Sequence, residues 1–127
     1  FAPFEQGVDI SMQALTKYPS GGADVLMGSV TTRDEALHQR LKATHMRLGL
    51  GVGANDVELL LRSLPTLALR YAAQDAAGRR LAAWWRERPE VAELLHPAFD
   101  GAPGHAHWAR HCGAAAGLFS VVFHACY

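Results

Sequence analysis

The stretch from Ser11 to Gly28, SMQALTKYPSGGADVLMG, joins two segments that have the character of β-strands. Residues 8–14 alternate weakly between apolar and polar side chains, and residues 25–32 form an apolar run rich in β-branched residues. Residues 16–24 between them contain one proline and two glycines, which are turn formers. The sequence therefore predicts a strand, a loop and a second strand.

A helix is predicted directly after the second strand. Thr32 and Glu35 have the spacing of a capping box, in which a Thr hydroxyl and a Glu carboxylate satisfy backbone amides at a helix start. Leucines at helical spacing follow, and three glycines within residues 49–53 are expected to end the helix. The same run, GLGVG, resembles a phosphate-binding loop only loosely, since it follows a helix and not a strand.

A second helix is predicted from Asn55, which with Glu58 repeats the cap spacing. Pro65 falls inside the helical pattern and removes one backbone hydrogen bond, so the helix is expected to kink or restart there. Helix should then resume as far as Arg88, and Pro89 should end it.

The remainder of the chain has the pattern of a second, smaller strand pair. Residues 91–95 are predicted as a short strand, 97–104 as a loop and 118–123 as an almost wholly apolar strand, of a kind usually buried on both faces. The fold class is therefore mixed α/β. Because Phe1 opens directly ahead of a strand and Tyr127 closes just after a buried one, the chain is expected to be a fragment.

Composition limits the classes of function. The 127 residues include 12 Lys and Arg against 12 Asp and Glu, so no net charge draws the chain toward nucleic acid or an anionic membrane. No stretch approaches the roughly 20 apolar residues of a membrane span, and no signal peptide opens the chain. A cytoplasmic location is expected, and a small zwitterionic ligand is compatible. Cys112 and Cys126 are expected to be reduced, partly buried thiols.

Two clusters of side chains have alternative interpretations. His105, His107 and His111 could place imidazoles on a metal, but Arg110 and not a carboxylate lies beside them, so ordinary histidines and no metal site are preferred. Tryptophans 84 and 85 lie among arginines, a pattern that can stack nucleic-acid bases. Glutamates interrupt those arginines, so an amphipathic helix with one Trp in the core is the preferred interpretation.

Lys17 is one of only two lysines in the chain, against ten arginines, and it lies where a strand enters a glycine-containing loop. Loop edges of α/β sheets are common ligand sites. A lysine can form a Schiff base only when its amine is neutral, which requires burial or a nearby cation to lower the lysine pKa. From position alone, a solvated surface lysine is the alternative interpretation.

The run from Ser11 to Gly28 resembles the segment around the cofactor lysine in the Cys/Met metabolism enzymes that depend on pyridoxal 5′-phosphate (PLP). The triplet Thr16-Lys17-Tyr18, the glycine that follows it and the positions of Asp24 and Val25 carry the resemblance. It continues over essentially the whole chain at Leu61, Arg62, Leu64, Thr66, Leu67, Arg70, His96, Pro97, Gly104, His105, Trp108, Gly117, Leu118, Phe119 and Ser120. Within the family, the sequence is most similar to bacterial cystathionine β-lyases.

The resemblance implies a fragment of a fold-type I PLP enzyme, with the aspartate aminotransferase-like α/β fold. It implies that Lys17 binds the cofactor covalently and acts as general base, and that the Thr16 hydroxyl contacts the cofactor phosphate. Residues 1–64 would be the C-terminal part of the PLP-binding domain and residues 65–127 the start of the C-terminal domain. The implied reaction is β-elimination of the amino acid cystathionine to homocysteine, pyruvate and ammonia, in a homo-oligomer (a dimer or tetramer).

Two positions depart from the family pattern. Ala14 lacks the hydroxyl that relatives often place there for the phosphate, and Gly22-Ala23 replaces the His-Ser of many relatives. The other groups that a PLP site needs would lie outside this chain, so the isolated chain is expected to be inactive and to bind PLP weakly. The alternatives are a γ-lyase or γ-synthase of the same family, and a non-catalytic helical module or pseudogene remnant.

Overall fold

The computed structural model describes residues 1–125, which divide into two units. The first unit comprises Ala2–Leu67, and the second comprises Phe1 and the described residues from Ala68 onward. No helix within residues 1–125 combines the length and the apolar character that a membrane span requires.

The first unit begins with a short 3-10 helix, Pro3–Gln6, and an antiparallel hairpin. Strand β1 spans Ile10–Ala14 and strand β2 spans Gly28–Thr32. The predicted strand, loop and strand are therefore confirmed, although both strands are shorter than predicted. Residues 25–27 belong to the loop and not to β2, and Val25 within this loop is 4% exposed.

Helix α1 spans Glu35–Arg47, and its start differs from the predicted capping box. The Asp34 carboxylate caps the helix by accepting the Leu37 N–H at 2.7 Å. Thr32 is still paired in β2, and its hydroxyl accepts the Asp34 N–H at 3.2 Å. The predicted cap at Thr32 is wrong because the strand ends too late for Thr32 to reach the helix start. The predicted glycine stop is confirmed, since Gly49 takes a left-handed backbone with φ 63° just after the helix.

Helix α2 spans Ala54–Ser63 and helix α3 spans Leu67–Arg86. A turn of 3-10 helix, Leu64–Thr66, separates them and contains Pro65, which confirms the predicted interruption. The predicted cap at Asn55 is wrong, because Asn55 lies inside α2 and no side chain caps that helix.

The second unit contains most of α3, a two-stranded antiparallel sheet and a short helix. Strand β3 spans Val91–Leu95, as predicted, and pairs with β4, Ser120–Phe123; helix α4 spans His105–His111. The expected burial of β4 on both faces is wrong in this chain. Phe123 is 47% exposed, because within residues 1–125 the strand has β3 as its one neighbour.

A carboxylate on α3 fixes the loop that precedes β4. Asp75 accepts the Ala115 N–H at 2.7 Å and pairs with Arg79 of the same helix at 3.0 Å. Burial alone would raise the pKa of Asp75, but the Ala115 N–H and the Arg79 guanidinium outweigh it and hold the pKa below its usual 3.8. The loop approaches the helix closely, since a Cβ on Gly78 would lie 3.0 Å from the Gly117 Cα.

His96 follows β3 and is fully buried. Its Nδ1 accepts the Ala98 N–H at 3.2 Å, so the proton of the neutral ring lies on Nε2. Burial lowers the pKa of His96 from its usual 6.5, the Arg79 guanidinium lowers it further, and Asp75 opposes them with a smaller effect. The ring packs edge-on against Phe99 with 4.9 Å between centroids. His96 is therefore a neutral part of the core of the second unit.

Replacing Asp75 with Ala is expected to lower the free energy of unfolding at pH 7 by about 2 kcal/mol, because the Ala115 N–H and Arg79 lose a partly buried partner. Glu58→Ala is the matched control, since it also breaks a pair with an arginine one helical turn away. The Glu58 side chain is 52% exposed against 18% for Asp75, and its loss should cost about 0.5 kcal/mol or less. Urea unfolding measures both variants.

The same comparison has an expected pH dependence. Because the folded-state pKa of Asp75 is lowered, its carboxylate stabilises the fold fully above the unfolded-state value of 3.8. That stabilisation is lost as the pH falls through the lower, folded-state pKa, so the stabilities of wild type and Asp75→Ala should converge in acid. Equal losses for Asp75→Ala and Glu58→Ala at pH 7 would contradict the role given to Asp75.

Candidate active site

The turn that follows β1 fixes Lys17 by its backbone. The Lys17 N–H donates to the Ala14 carbonyl at 3.2 Å, and the Lys17 carbonyl accepts the Gly21 N–H at 3.4 Å. The side chain is exposed, and none of the hydrogen bonds or ion pairs described within residues 1–125 involves its amine. The structure thus presents an uncommitted amine on a fixed backbone. The burial that would keep this amine neutral is not supplied by residues 1–125.

Ser20 closes the same turn from within. It is 6% exposed, and its N–H donates to the Leu15 carbonyl at 2.9 Å. Its hydroxyl donates to the Thr16 carbonyl at 2.9 Å and lies 3.3 Å from the Lys17 carbonyl. Sequence reasoning missed this residue. The one available signal was that serine hydroxyls often donate a hydrogen bond to the carbonyl four residues earlier.

Thr16 ties the two ends of the loop together. Its N–H donates to the Met27 carbonyl at 3.2 Å, and its hydroxyl oxygen accepts the Met27 N–H at 3.0 Å. The hydroxyl also donates to the Met27 carbonyl, but at 3.3 Å, beyond the range of roughly 2.5–3.0 Å usual for such bonds. The hydrogen bond that the hydroxyl donates is therefore weak. Thr16 can redirect this donor to an anion and keep the hydrogen bond from the Met27 N–H.

The loop between Ser20 and Val25 explains one departure from the family pattern. Gly21 and Ala23 both have left-handed backbones, with φ 77° and 54°. A Cβ on Gly22 would lie 2.9 Å from the Asp24 carboxylate, which no real Cβ tolerates without a shift of that side chain. Glycine at position 22, where many relatives have histidine, therefore leaves room for the Asp24 carboxylate in its present position.

An open cleft of about 370 Å³ lies beside Thr16. Its lining residues come from both strands of the hairpin and from the end of the loop: Met12, Gln13, Ala14, Thr16, Leu26, Met27 and Gly28. Leu26 in this lining is 91% exposed. The cleft therefore offers an apolar surface, with polar side chains only from Gln13 and Thr16.

One of the three histidines that could hold a metal has other partners. His105 has Nδ1 2.9 Å from the Pro97 carbonyl and Nε2 2.9 Å from the Asp100 carboxylate. Within the part of the chain that the structure describes, no group of three His, Cys, Asp or Glu side chains is placed to hold a metal ion. Cys112 is a free, half-buried thiol, as predicted, whereas Cys126 lies outside the described residues.

The tryptophan pair on α3 has the arrangement of an amphipathic helix. Trp85 packs edge-on against Phe123 of β4, with 5.7 Å between ring centroids. Trp84 is 48% exposed, and the Arg88 guanidinium lies over its ring at 4.7 Å. One tryptophan thus faces the sheet and the other faces solvent, which agrees with the preferred interpretation of this segment.

Comparison with known proteins bears on this site directly. Residues 1–125 match the model of the Cys/Met metabolism PLP-dependent enzymes. The chain belongs to this family. The predicted membership, the fold-type I α/β class and the PLP dependence of the family are thereby confirmed.

Relatives with several activities are similar to this chain. A cystathionine β-lyase of Bordetella avium is 38% identical over 121 residues, which cover 95% of this chain and 31% of the relative. A methionine γ-lyase of Micromonospora echinospora matches with a TM-score of 0.92 and 34% identity, over 95% of this chain and 33% of that chain. A cystathionine γ-synthase of Xanthomonas oryzae matches with a TM-score of 0.91 and 31% identity, over 95% and 31%. The chain therefore spans about a third of the length of these relatives.

The residues of the Lys17 turn fit the cofactor of the family on two counts. A Schiff base needs an amine without another partner, and Lys17 provides one within residues 1–125. A phosphate needs a hydrogen-bond donor, and the Thr16 hydroxyl, whose present donated bond is weak, can serve. Lys17 as the cofactor lysine and Thr16 as a phosphate ligand thus stay predictions with which the geometry agrees.

Replacing Thr16 with Val in the full-length protein is expected to open the end of the loop, because the Met27 N–H loses its acceptor. Hydrogen exchange of the Met27 amide should accelerate about fivefold, the effect of losing one hydrogen bond. Thr31→Val is the matched control, since Thr31 lies exposed in β2 of the same hairpin. An unchanged Met27 amide in Thr16→Val would show that the hydroxyl does not hold the loop.

Proposed function

We propose that the full-length protein is a PLP-dependent carbon–sulfur lyase, with Lys17 as the cofactor lysine. The proposed reaction is β-elimination of cystathionine to homocysteine, pyruvate and ammonia. The observation that carries the proposal is the uncommitted Lys17 amine on a turn whose backbone groups are hydrogen bonded. Lys42, the other lysine of the chain, lies within helix α1 and far from any such turn in sequence.

The residues of this chain have distinct tasks in the proposed reaction. The cofactor, when bound, supplies an electron sink for the charge that develops on the substrate Cα. Lys17 Nζ accepts the proton that leaves Cα. This role requires an amine that is free to move and a backbone that is fixed. The Thr16 hydroxyl would donate a hydrogen bond to the phosphate and is kept in place by the Met27 N–H. Ser20 and Gly21 hold the Lys17 carbonyl.

The choice of β-elimination rests on the relatives. The name of the Bordetella avium relative, at 38% identity, favours a cystathionine β-lyase. The names of the two solved structures favour the alternative, a γ-lyase or γ-synthase. An amino acid with sulfur on its side chain is the substrate class common to both proposals. Homo-oligomerisation, a cytoplasmic location, the inactivity of the isolated chain and the division into domains 1–64 and 65–127 are further parts of the proposal.

The assignment of Lys17 can be tested in the full-length protein with Lys17→Ala and, as a matched control, Lys42→Ala. Lys17→Ala should abolish the visible absorbance of the lysine-linked cofactor and lower the rate of elimination about a thousandfold, because it removes the general base. Lys42→Ala should change neither. Reduction of wild type with borohydride, followed by peptide mapping, should place the cofactor on Lys17. An adduct on another residue would refute the assignment.

The position of bond cleavage can be tested with cystathionine as substrate. Cleavage at Cβ releases homocysteine, pyruvate and ammonia, whereas cleavage at Cγ releases cysteine, 2-oxobutanoate and ammonia. We expect pyruvate and homocysteine in equal amounts. A predominance of 2-oxobutanoate would favour the γ-lyase, and the absence of either keto acid with intact cofactor binding would favour a synthase.

A further inference from the structure

We infer that Ser20 is a positioning residue that fixes the peptide preceding Lys17, and with it the direction in which the Lys17 side chain leaves the turn. The inference rests on the proposed function, because it assigns a role relative to the cofactor lysine. Ser20 does not touch the cofactor or the reacting atoms in this account. It acts through Lys17.

The geometry that carries this inference is the position of one hydroxyl between two peptide groups. The Thr16 carbonyl, 2.9 Å from Ser20 Oγ, belongs to the peptide that precedes the Lys17 Cα, and the Lys17 carbonyl, 3.3 Å away, belongs to the peptide that follows it. The orientations of these two peptides are the φ and ψ angles of Lys17. The one hydroxyl proton goes to the Thr16 carbonyl, and the 3.3 Å contact with the Lys17 carbonyl is weak and is joined there by the Gly21 N–H. By fixing the first peptide, Ser20 restricts the Cα–Cβ direction of the lysine.

The backbone of the two residues is otherwise fully engaged, which makes the hydroxyl important. The N–H groups of Thr16 and Lys17 donate to the Met27 and Ala14 carbonyls. The Lys17 carbonyl has a second donor in the Gly21 N–H at 3.4 Å, but the one hydrogen bond described for the Thr16 carbonyl comes from Ser20. Without that hydroxyl, the carbonyl that directly precedes the lysine has no donor among residues 1–125.

Burial makes the hydrogen bonds of Ser20 effective. The residue is 6% exposed, so water competes little for its hydroxyl, and its own N–H is tied to the Leu15 carbonyl at 2.9 Å. An exposed serine would lose most of this effect to solvent. Ser20 thus holds the inside of the turn by buried hydrogen bonds, and the exposed Lys17 amine lies on the outside of the same turn.

The test uses three full-length proteins: wild type, Ser20→Ala and the matched control Ser29→Ala. Ser29 is a half-buried serine of β2 in the same hairpin, for whose hydroxyl the structure describes no hydrogen bond within residues 1–125. The first measurement is hydrogen exchange of the cofactor-free proteins. Ser20→Ala should accelerate hydrogen exchange of the amides at positions 20 and 21 about fivefold. The exchange rates of the α3 amides should not change, which would show that the fold is intact.

The second measurement reports the orientation of the cofactor. It would not change if Ser20 only stabilised the fold. In the cofactor-loaded proteins, the visible circular dichroism of the lysine-linked cofactor, divided by its absorbance, reports how firmly the cofactor is held in one orientation. The ratio should fall at least about twofold in Ser20→Ala, where one hydrogen bond is lost, and stay constant in Ser29→Ala. An unchanged ratio or unchanged exchange in Ser20→Ala, or equal changes in Ser29→Ala, would overturn the inference.

Peptide mapping of the borohydride-reduced proteins separates this inference from the proposed function. If the adduct lies on Lys17 and Ser20→Ala behaves as wild type, only the role of Ser20 is wrong. If the adduct lies on another residue, the proposed function fails and the role of Ser20 fails with it.

Discussion

The candidate site depends on one constraint, which is that a cofactor lysine needs a rigid backbone and a free amine at the same position. Side-chain hydroxyls meet that constraint here. Thr16 joins the loop end to Met27 through three hydrogen bonds, and Ser20 fills the interior of the turn. Because these bonds use the backbone groups around Lys17, the chain is fixed without any partner for the amine. A salt bridge to Lys17 would have given order as well, but it would have occupied the amine that the proposed Schiff base needs.

In the second unit a loop is likewise fixed by a side-chain hydrogen bond, but from a carboxylate in place of a hydroxyl. Asp75 accepts the Ala115 N–H across 40 residues of sequence and so fixes a loop that has little apolar side chain to bury. The Asp75 pair with Arg79 supplies the counter-charge that burial demands. In both units, therefore, side-chain oxygens hold loops by hydrogen bonds. Few apolar residues among those described are buried to help: Val25 and Leu60 in the first unit and Ala82 in the second.

Local sequence patterns were sufficient to predict the helices and strands. They were not sufficient to predict where these helices and strands begin and end. The hairpin, the interruption at Pro65 and strand β3 could be predicted, because β-branched runs and proline act within a few residues. The caps at Thr32 and Asn55 were wrong because a cap depends on where the preceding element stops, which tertiary pairing decides. Lys17 and Thr16 could be proposed from family resemblance. Ser20 could not, since its importance comes from burial inside a turn, and sequence spacing does not report burial.

The backbone of this region does not discriminate between a γ-lyase and a γ-synthase. Solved structures named as a methionine γ-lyase and a cystathionine γ-synthase superpose on it with TM-scores of 0.92 and 0.91, although their identities are only 34% and 31%. The sequence of a relative named as a cystathionine β-lyase also aligns, over 95% of the chain. A backbone shared among proteins with different named activities serves what those activities have in common. The position of bond cleavage must then depend on side chains that contact the far end of the substrate, because specificity arises from differential contacts in the transition state and not from the fold.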